Sequence, residues 1–241
     1  MGLNFTTMNS TQNIVVLTGA GMSAESGVPT FRGVDGLWEG HHIEEVASPE
    51  GFARNPALVH RFYNLRRAAL KCVEPNAGHR ALAMLESEWT GGFLLVTQNV
   101  DDLHERAGSR KLLHMHGELR KVRCEACYAV AVWENDLDAG TVCPACGETG
   151  AMRPHIVWFG EIPFEMETIA AALKSADLFL CIGTSGLVYP AAGFAQRVSN
   201  ECRLIELNIE STEISRHFHE HIVGAVSAEL PKLVESILRA R

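Results

Sequence analysis

The sequence predicts an α/β fold, a doubly wound parallel sheet with a small lobe inserted into it. Short apolar runs rich in β-branched residues alternate with longer amphipathic segments, as buried parallel strands alternate with helices. The runs lie at residues 14–17, 92–97, 176–181 and 203–209, and two cysteine pairs between 124 and 146 mark the insertion. A chain of 241 residues with 46% hydrophobic content can bury the core of one large domain.

Composition argues against several classes of protein. The net charge of −8 argues against a general binder of nucleic acids or anionic membranes. No apolar run approaches the ~20 residues that span a bilayer. Residues 1–12 are polar and lack the apolar core of a signal peptide, so we expect a cytoplasmic protein. Disulfides are rare in the cytosol, so seven cysteines with two Cys-x-x-Cys pairs favour a metal site in a cytoplasmic protein.

The first strand leads into a glycine-rich turn. Gly19 and Gly21 follow residues 14–17, and the spacing Gly-x-Gly-x-x-Ala is a variant of the dinucleotide fingerprint of Rossmann-like folds, although glycine also closes ordinary strand–helix turns. We expect free N–H groups and the dipole of a following helix to bind a phosphate here. Glu39 and its acidic neighbours, at the distance usual for ribose recognition, do not lie on a strand. We therefore expect loop and helix to cover the nucleotide, with Arg32 as a phosphate or carboxylate partner.

Two helices are predicted in this covering segment. Ser48 and Asn55, each followed by proline, are typical N-caps, and the second helix is expected to run to about residue 73. Its apolar residues at 58, 62, 65, 69 and 72 form one stripe. At about 100° per residue, Arg66 lies on the inner shoulder of that stripe, on the side of Tyr63, and Arg67 is expected to face solvent. A buried arginine needs an anion, and residue chemistry alone favours a structural carboxylate as the partner of Arg66.

Polar residues follow the strand at 92–97. Gln98, Asn99 and Asp101 lie at its carboxyl end, where open α/β sheets bind ligands, although Asn99 or Asp101 could equally cap a helix. His114 and His116 alternate on the next short strand, so they are expected to share a face. Histidine titrates near neutrality and is a common general base, so each histidine is either catalytic or structural.

Cys124, Cys127, Cys143 and Cys146 form two Cys-x-x-Cys knuckles separated by 15 residues. Such knuckles bring four thiolates to one tetrahedral zinc, and four sulfur ligands leave no position for water, so the zinc is expected to be structural. The rival is a nucleic-acid-binding ribbon. Residues 118–155 carry four Lys/Arg and six Asp/Glu, which disfavours that rival.

The last part of the chain repeats the pattern of strand and polar turn. The run at 176–181 leads to a second glycine turn at 183–186, which could also hold a phosphate. The run at 203–209 closes on residues 208–210, whose amide and carboxylate suit the ribose of an adenosine. A terminal amphipathic helix is predicted at 229–241.

Taken together, these motifs resemble those of the sirtuin family, the NAD-dependent protein lysine deacylases, over nearly the whole chain. The resemblance rests on residues 19–23, 31–32, 97–101, 114–117, the four cysteines, 157–160, 183–185 and 207–208, in this order. It implies a single catalytic domain over 1–241, with an NAD-binding core at 12–117 and 156–241. It further implies a helical cover at about 34–75 and a zinc lobe at 118–155.

The resemblance also implies roles for particular residues. The residues expected to bind NAD are Gly19, Ala20, Gly21, Ser23, Ala24, Glu25, Thr30, Phe31, Arg32, Trp38, Gln98, Asn99, Asp101, Gly183, Thr184, Ser185, Asn208, Ile209, Glu210 and Val226. Thr30 stands where many members of the family have aspartate. The general base is expected to be His116, and the products nicotinamide, free lysine and O-acyl-ADP-ribose.

On the substrate side, the chain is most similar to the bacterial CobB-type branch, in which a Tyr-x-x-Arg pair reads acidic acyl groups. Tyr63 and Arg66 stand at that place, so the resemblance implies removal of succinyl and malonyl as well as acetyl groups. Backbone groups of Val157, Trp158, Phe159 and Gly160 are expected to pair with an acylated protein or peptide, and a monomer is expected.

Two other functions remain open at this stage. A sensor that binds NAD without catalysis would keep the glycine turns but would not need His116. A hydride-transfer oxidoreductase would use the same cofactor, although the sequence supplies no evident hydride partner.

Overall fold

A computed structural model describes residues 11–30, 37, 38 and 40–240 of the chain. The strands are β1 (Ile14–Thr18), β2 (Leu37–Trp38), β3 (His41–His42), β4 (Phe93–Thr97), β5 (Leu112–His114), β6 (Gly117–Cys124), β7 (Val130–Val132), β8 (Met152–Ile156), β9 (Leu178–Ile182), β10 (Arg203–Asn208) and β11 (Glu220–Val223). The α-helices are α1 (Gly21–Ala24), α2 (Ile43–Val46), α3 (Pro49–Arg54), α4 (Pro56–Ala69), α5 (Ala77–Glu88), α6 (Leu103–Ala107), α7 (Met166–Lys174) and α8 (Val226–Arg239). Shorter 3₁₀ turns lie at Leu70–Cys72, Ala191–Gln196 and Ser215–His217.

The central sheet is parallel and doubly wound, which confirms the predicted fold class. Its strand order is β11-β10-β9-β1-β4-β5, so the chain starts in the interior and builds outward on both sides. The register pairs Thr18 of β1 with Thr97 of β4 and with Ile182 of β9. The carboxyl ends of these strands are therefore level, and the residues that follow them meet at one edge.

Both faces of this sheet are buried, which is why its strands read as continuous apolar runs. Along β1, Ile14 and Val16 pack with α5 and α8, whereas Val15 and Leu17 pack into a second core on the opposite face with α7. The alternation follows from the two-residue period of a strand. The last helix, α8, begins at residue 226, earlier than the predicted 229.

The cysteines belong to a lobe built on an antiparallel sheet of β7, β6 and β8. Its small core contains Val122, Leu137, Met152 and the buried Cys124 and Cys143. Helices α2 to α4 cover the junction between this lobe and the central sheet, and they bury a third core that includes Tyr63 and Trp158. The predicted N-caps of α3 and α4 are confirmed, because Ser48 Oγ accepts from the N–H of Gly51 and Asn55 Oδ1 from that of Leu58.

The predicted orientation of α4 is confirmed in part: Phe62 of the stripe and Arg66 on its inner shoulder are buried, but Leu65 and Arg67 are not placed as expected. Leu65 of the predicted apolar stripe is 62% exposed, whereas Arg67, expected to face solvent, is only 3% exposed. The helix packs against the cysteine lobe through a face that includes Val59, Phe62 and Tyr63, so its buried face is rotated from the centre of the expected stripe toward Tyr63. Arg67 tolerates burial because Nε donates to the carbonyl of Leu119 (2.8 Å) and Nη1 to the Oδ1 of Asn64 (2.9 Å).

No helix among the described residues is long and apolar enough to cross a membrane.

Candidate active site

Two glycine turns pack against each other at the carboxyl edge of the central sheet. A Cβ on Gly19 would lie 2.9 Å from the carbonyl oxygen of Gly183, and a Cβ on Gly21 would lie 2.8 Å from the Cα of Gly183. Gly183 has φ +61°, a conformation that other residues rarely adopt. Glycine is required at these three positions by the close approach of the two turns.

The expected role of the first turn's N–H groups needs correction. The N–H of Gly19 donates to the carbonyl of Ile182 (3.0 Å), and that of Gly21 donates to the carbonyl of Gly183 (2.7 Å). The following helix, α1, covers only residues 21–24, so its dipole is small. These two N–H groups join the turns to each other and are not available to a phosphate.

A line of polar side chains runs across the ends of β10, β9 and β4, with β1 between the last two. The Nδ2 of Asn208, the last residue of β10, donates to the backbone carbonyl of Thr184 (2.7 Å). The Nε2 of Gln98, after β4, donates to the Oγ1 of Thr184 (3.1 Å). Asn208 and Thr184 are each 8% exposed, so this polar line is held in place by the core beneath it. The structure thereby brings together the predicted residues of three separate motifs.

His116 lies at the end of this line, in the turn between β5 and β6. Its Nδ1 is 3.2 Å from the backbone carbonyl of Gln98. A carbonyl only accepts, so Nδ1 carries the proton and Nε2 is left as the basic nitrogen. Burial lowers the pKa of His116, against the opposing effect of the Gln98 carbonyl, so the imidazole is neutral at pH 7. Gly117 is required beside it, with φ +85°, because a Cβ there would lie 2.1 Å from the carbonyl of His155.

His114 contacts the same loop after β4 as His116 does, but both of its ring nitrogens have partners. Its Nδ1 is 3.1 Å from the carbonyl of Asn99, and its Nε2 is 2.7 Å from Oε1 of Glu105. Both partners accept, so both ring nitrogens are donors and the ring is an imidazolium. Burial opposes that charge, but the hydrogen bond and ion pair with Glu105 outweigh it and raise the pKa of His114. Of the two histidines, only His116 has a nitrogen available as a base.

Ser23, Asn99 and Asp101 form a buried polar cluster beneath the glycine turns. The Oγ of Ser23 accepts from Nδ2 of Asn99 (3.0 Å) and lies 3.4 Å from Nε2 of His79. The Nδ1 of His79 accepts from the N–H of Asn76 (3.3 Å), so its Nε2 carries the proton and donates to Ser23. Burial raises the pKa of the Asp101 carboxyl, against hydrogen bonds from Ser23 and from the N–H of Leu103. Ser23 therefore joins Asn99, Asp101 and His79 in one hydrogen-bonded cluster.

His79 and His104, which lie beside this cluster, were not predicted from the sequence as site residues. His79 is fully buried, with its pKa lowered to about 4 by burial, and its ring lies 4.8 Å from that of His104. The Nε2 of His104 is 3.1 Å from Oγ1 of Thr18, at the end of β1. One signal in the sequence was Thr18, a polar residue at the end of the otherwise apolar strand β1, because its hydroxyl needs a hydrogen-bond partner in the core. The Asn-x-x-His spacing at the start of α5 was the other, because it forms a capping box.

Other residues predicted to bind the cofactor have varied surroundings. Ala20, Ala24 and Ser185 are half-buried beside the turns, Thr30, Ile209 and Glu210 are exposed, and Val226 is buried at the start of α8. The carboxylate of Glu25 accepts hydrogen bonds from the backbone N–H and the hydroxyl of Ser227. It therefore joins the first turn to α8. Phe31, Arg32 and the side chain of Trp38 lie outside the described residues.

A cleft of about 240 Å³ lies between α4 and the segment that follows α1. It is lined by Gly27, Val28, Pro29, Leu65, Arg66, Ala69, Leu70, Val73 and Leu119. The exposed Leu65 of α4 thus forms part of an apolar wall, and Arg66 supplies a cation to it. Tyr63, one turn earlier, is fully buried behind this wall, where its hydroxyl accepts a hydrogen bond from the indole N–H of Trp158 (2.9 Å).

The segment that was predicted to pair with a substrate peptide already uses three of its backbone N–H groups. The N–H of Val157 donates to the carbonyl of His116 (2.9 Å), and that of Phe159 donates to the carbonyl of Ala47 (2.9 Å). The N–H of Trp158 donates to Oε2 of Glu161 (2.8 Å). A peptide strand added here would therefore pair through carbonyl oxygens and through Gly160.

The four cysteines form one cluster, with their sulfur atoms all within 4.8 Å of one another. The Sγ atoms of Cys124 and Cys146, and those of Cys127 and Cys143, are 3.8 Å apart, close to the edge of a ZnS₄ tetrahedron. Backbone N–H groups of Cys146 and Ala145 lower the pKa of the Cys143 thiol, whereas the lowering effect of the Glu148 backbone N–H on Cys146 is outweighed by hydrogen bonds with the neighbouring cysteines, which raise the pKa of Cys146, so the four sulfurs are electrostatically coupled. The donor set fits a structural zinc ion, and the cluster lies apart from His116 in a separate lobe.

Comparisons with known proteins agree with this geometry. The model of the Sir2 family matches residues 19–190, a span that includes both glycine turns, His116 and all four cysteines. The chain belongs to the Sir2 family. An NAD-dependent protein deacylase of Bdellovibrio bacteriovorus is 58% identical over 229 residues, covering 94% of this chain and 97% of that protein. One of Shewanella oneidensis is 52% identical over 233 residues, covering 95% of this chain and 96% of that protein.

Solved Sir2 structures share the fold closely. A Sir2 homologue in complex with NAD superimposes with a TM-score of 0.86 at 39% identity, covering 95% of this chain and 90% of that one. A Sir2 protein in complex with a deacetylated p53 peptide and 3'-O-acetyl ADP-ribose superimposes with a TM-score of 0.80 at 27% identity, covering 92% of each chain. The resemblance to sirtuins drawn from the sequence is thus confirmed.

Proposed function

We propose that this chain is an NAD-dependent protein lysine deacylase that removes acetyl and acidic acyl groups, such as succinyl and malonyl, from lysine side chains. The products are nicotinamide, free lysine and O-acyl-ADP-ribose. The single observation that carries the proposal is the position of His116, whose basic Nε2 is fixed by the Gln98 carbonyl in the midst of a dinucleotide site. Membership of the Sir2 family, with relatives named NAD-dependent protein deacylases, supports it.

The residues at the sheet edge fit NAD. Because Gly19, Gly21 and Gly183 carry no side chains, the backbone of the two packed turns can lie close to a pyrophosphate. Asn208 and the neighbouring carboxylate of Glu210 suit an adenosine ribose at the far end of the line. Near His116, the buried amide and carboxylate of Asn99 and Asp101 suit the nicotinamide ribose and its amide. Bound NAD supplies an electrophilic ribose carbon and nicotinamide as the leaving group.

His116 performs the proton transfer of the proposed reaction. Its Nδ1–H remains on the Gln98 carbonyl while Nε2 takes the proton of a ribose hydroxyl, so that this oxygen can receive the acyl group. The lowered pKa keeps Nε2 unprotonated at neutral pH. A neutral base that is oriented in advance loses little entropy when the substrate binds, which favours the transfer.

Arg66 supports the proposal of acidic acyl substrates. Arg66 lines the apolar cleft between α4 and residues 27–29, where an acyl chain would meet Leu65 and Leu119 along its length. An arginine can bind a carboxylate through two parallel hydrogen bonds, and the neighbouring phenol of Tyr63 can add another. A buried carboxylate without such partners would be strongly disfavoured.

A panel of acyl-lysine peptides tests the proposed function. Purified protein with NAD and acetyl, succinyl, malonyl or long-chain acyl peptides should release nicotinamide and give deacylated peptide by mass spectrometry. Acetyl, succinyl and malonyl peptides are expected to react. Binding of NAD without turnover of any peptide would favour the sensor, and formation of NADH would favour an oxidoreductase. Turnover of acetyl peptide alone would leave the deacylase and exclude the acidic acyl groups.

A further inference from the structure

Tyr63 is held by a hydrogen bond whose direction is unambiguous. The indole Nε1 of Trp158 lies 2.9 Å from the Tyr63 hydroxyl oxygen, and an indole N–H can only donate. The phenol oxygen is therefore the acceptor, and its own O–H must be directed elsewhere. Within the described residues, no side chain or backbone group accepts that O–H. Trp158 and Tyr63 are 2% and 0% exposed, so water does not compete for this bond.

The Tyr63 hydroxyl also remains a donor over the accessible pH range. Burial raises its pKa well above the ordinary value, against the opposing effects of the Trp158 hydrogen bond and the Arg66 charge. A neutral phenol keeps one proton to donate while its oxygen is occupied by Trp158. A buried donor without a partner is costly, so the proton that this phenol keeps points to a ligand group as its acceptor.

Trp158 is itself firmly fixed. The guanidinium of Arg153 lies 3.3 Å from the centroid of the indole ring. Arg153 forms two parallel bonds with Glu161, Nη1 to Oε1 (2.8 Å) and Nη2 to Oε2 (3.0 Å). Glu161 also accepts from the backbone N–H of Trp158 (2.8 Å), and the ring of Phe52 lies 5.2 Å from the indole. This arrangement holds both the backbone and the ring of Trp158, so its N–H is a fixed reference point for the phenol.

Arg66 is the cation next to Tyr63 on the same side of α4. It lies three residues after Tyr63 on α4, and positions three apart face the same side of a helix. Arg66 lines the cleft, and its charge acts on the Tyr63 hydroxyl. A carboxylate bound to Arg66 would be the nearest acceptor for the phenol O–H.

We propose that Trp158 is a positioning residue for acyl selectivity: by donating to the Tyr63 oxygen, it orients the phenol O–H toward a substrate carboxylate held by Arg66. This inference rests on the proposed function. Trp158 would also link recognition of the peptide to recognition of the acyl group. The backbone of Trp158 belongs to the segment proposed to pair with the peptide, and its side chain sets the group that reads the acyl chain.

The experiment compares Trp158→Phe with the wild type on succinyl- and acetyl-lysine versions of one peptide. The variant keeps an aromatic ring for Arg153 to contact but loses the N–H. The ratio of kcat/KM for desuccinylation to that for deacetylation should fall about two- to tenfold, the range of one neutral hydrogen bond. The loss should appear mainly in the KM of the succinyl peptide. The control is Trp89→Phe, which removes another buried indole N–H, bonded to the carbonyl of Gln12 (2.9 Å), and should leave the ratio unchanged.

A double-mutant cycle with Tyr63→Phe tests whether Trp158 acts through Tyr63. In the Tyr63→Phe background, Trp158→Phe should not lower the ratio further. An additive loss, or an equal loss of both activities, would overturn the proposal, because a purely structural role affects both substrates alike. If the wild type deacylates neither peptide, the proposed function fails. If Arg66→Met lowers the ratio but Trp158→Phe does not, only the present inference fails.

A second measurement needs no substitution at Trp158. In protein labelled with ¹⁵N-tryptophan, the succinyl peptide should shift the Trp158 indole N–H resonance more than the acetyl peptide does. Equal shifts with the two peptides would contradict the proposal. This readout keeps the inference testable even if Trp158→Phe does not fold.

Discussion

Asn64 on α4 and Leu137 in the cysteine lobe are joined by two hydrogen bonds. The Nδ2 of Asn64 donates to the carbonyl of Leu137 (3.0 Å), and the N–H of Leu137 donates to the Oδ1 of Asn64 (3.0 Å). The helix that carries Tyr63 and Arg66 is therefore attached to the lobe that carries the four cysteines. Arg67 reinforces the attachment through the carbonyl of Asn135 (3.2 Å).

Asn64→Ala should destabilise the protein because it leaves the N–H and C=O of the fully buried Leu137 without their partner. The expected loss is about 1–3 kcal/mol in the free energy of unfolding, measured by denaturant titration. Ser87→Ala is the control, since it removes one exposed hydrogen bond to the carbonyl of Met84 (2.9 Å) and should change the stability by less than about 0.5 kcal/mol. Equal effects of the two substitutions would show that the attachment carries no stability.

Removal of the metal should act at a distance through the same attachment. A structural zinc contributes folding free energy, so chelation or Cys143→Ala should lower the melting temperature. Because α4 is fixed to the lobe, deacylation should also fall, although no cysteine lies beside His116. Melting curves and rates of the zinc-loaded and chelated protein test this. If both are unchanged by chelation, the cluster holds no structural metal.

The ion pair between His114 and Glu105 should make stability depend on pH. The folded-state pKa of His114 is raised above 6.5 by Glu105, whose effect exceeds that of burial. Its contribution to stability is therefore fully present below about pH 6.5 and is lost as the pH rises through the folded-state value. Glu105→Gln should destabilise the protein more at pH 6 than at pH 9, in denaturant titrations at both values. A difference independent of pH would mean that His114 is neutral in the fold.

Arg66→Met should affect acidic acyl substrates selectively. A hydrogen bond to a charged group is worth roughly 1.5–3 kcal/mol, so desuccinylation should fall about ten- to a hundredfold more than deacetylation in kcat/KM. Arg61→Met is the matched control, because Arg61 is exposed on the same helix and should leave both activities unchanged. Parallel loss of both activities in Arg66→Met would make Arg66 a structural residue, as residue chemistry alone suggested.

Much of the fold could be predicted because its signals are local. The apolar runs predicted four strands of the central sheet, and proline after Ser48 and Asn55 predicted two helix starts. The cysteine spacing likewise predicted a cluster that the structure brings together. Each signal depends on a few neighbouring residues and on physics that tertiary context does not reverse.

The orientation of α4 could not be predicted because it is decided by distant partners. Arg67 is buried because its guanidinium donates hydrogen bonds to the carbonyls of Leu119 and Asn135, and neither residue is near it in sequence. Leu65 is exposed because it lines a cleft instead of the core. The cluster of Ser23, Asn99 and His79 was missed for the same reason: its members come from three separate segments.

The central claim is that His116 is the general base of an NAD-dependent deacylase, and one comparison tests it most directly. Wild-type protein and His116→Tyr are assayed with NAD and the acyl peptide that the wild type turns over fastest, with melting temperature and NAD affinity measured on both. Loss of a general base typically costs about 10²–10⁴-fold, so turnover should fall by that amount while both other properties are retained. The wild-type kcat/KM should also decline as the pH falls through the lowered pKa of His116, below 6.5. A His116→Tyr protein that deacylates at the wild-type rate would contradict the account.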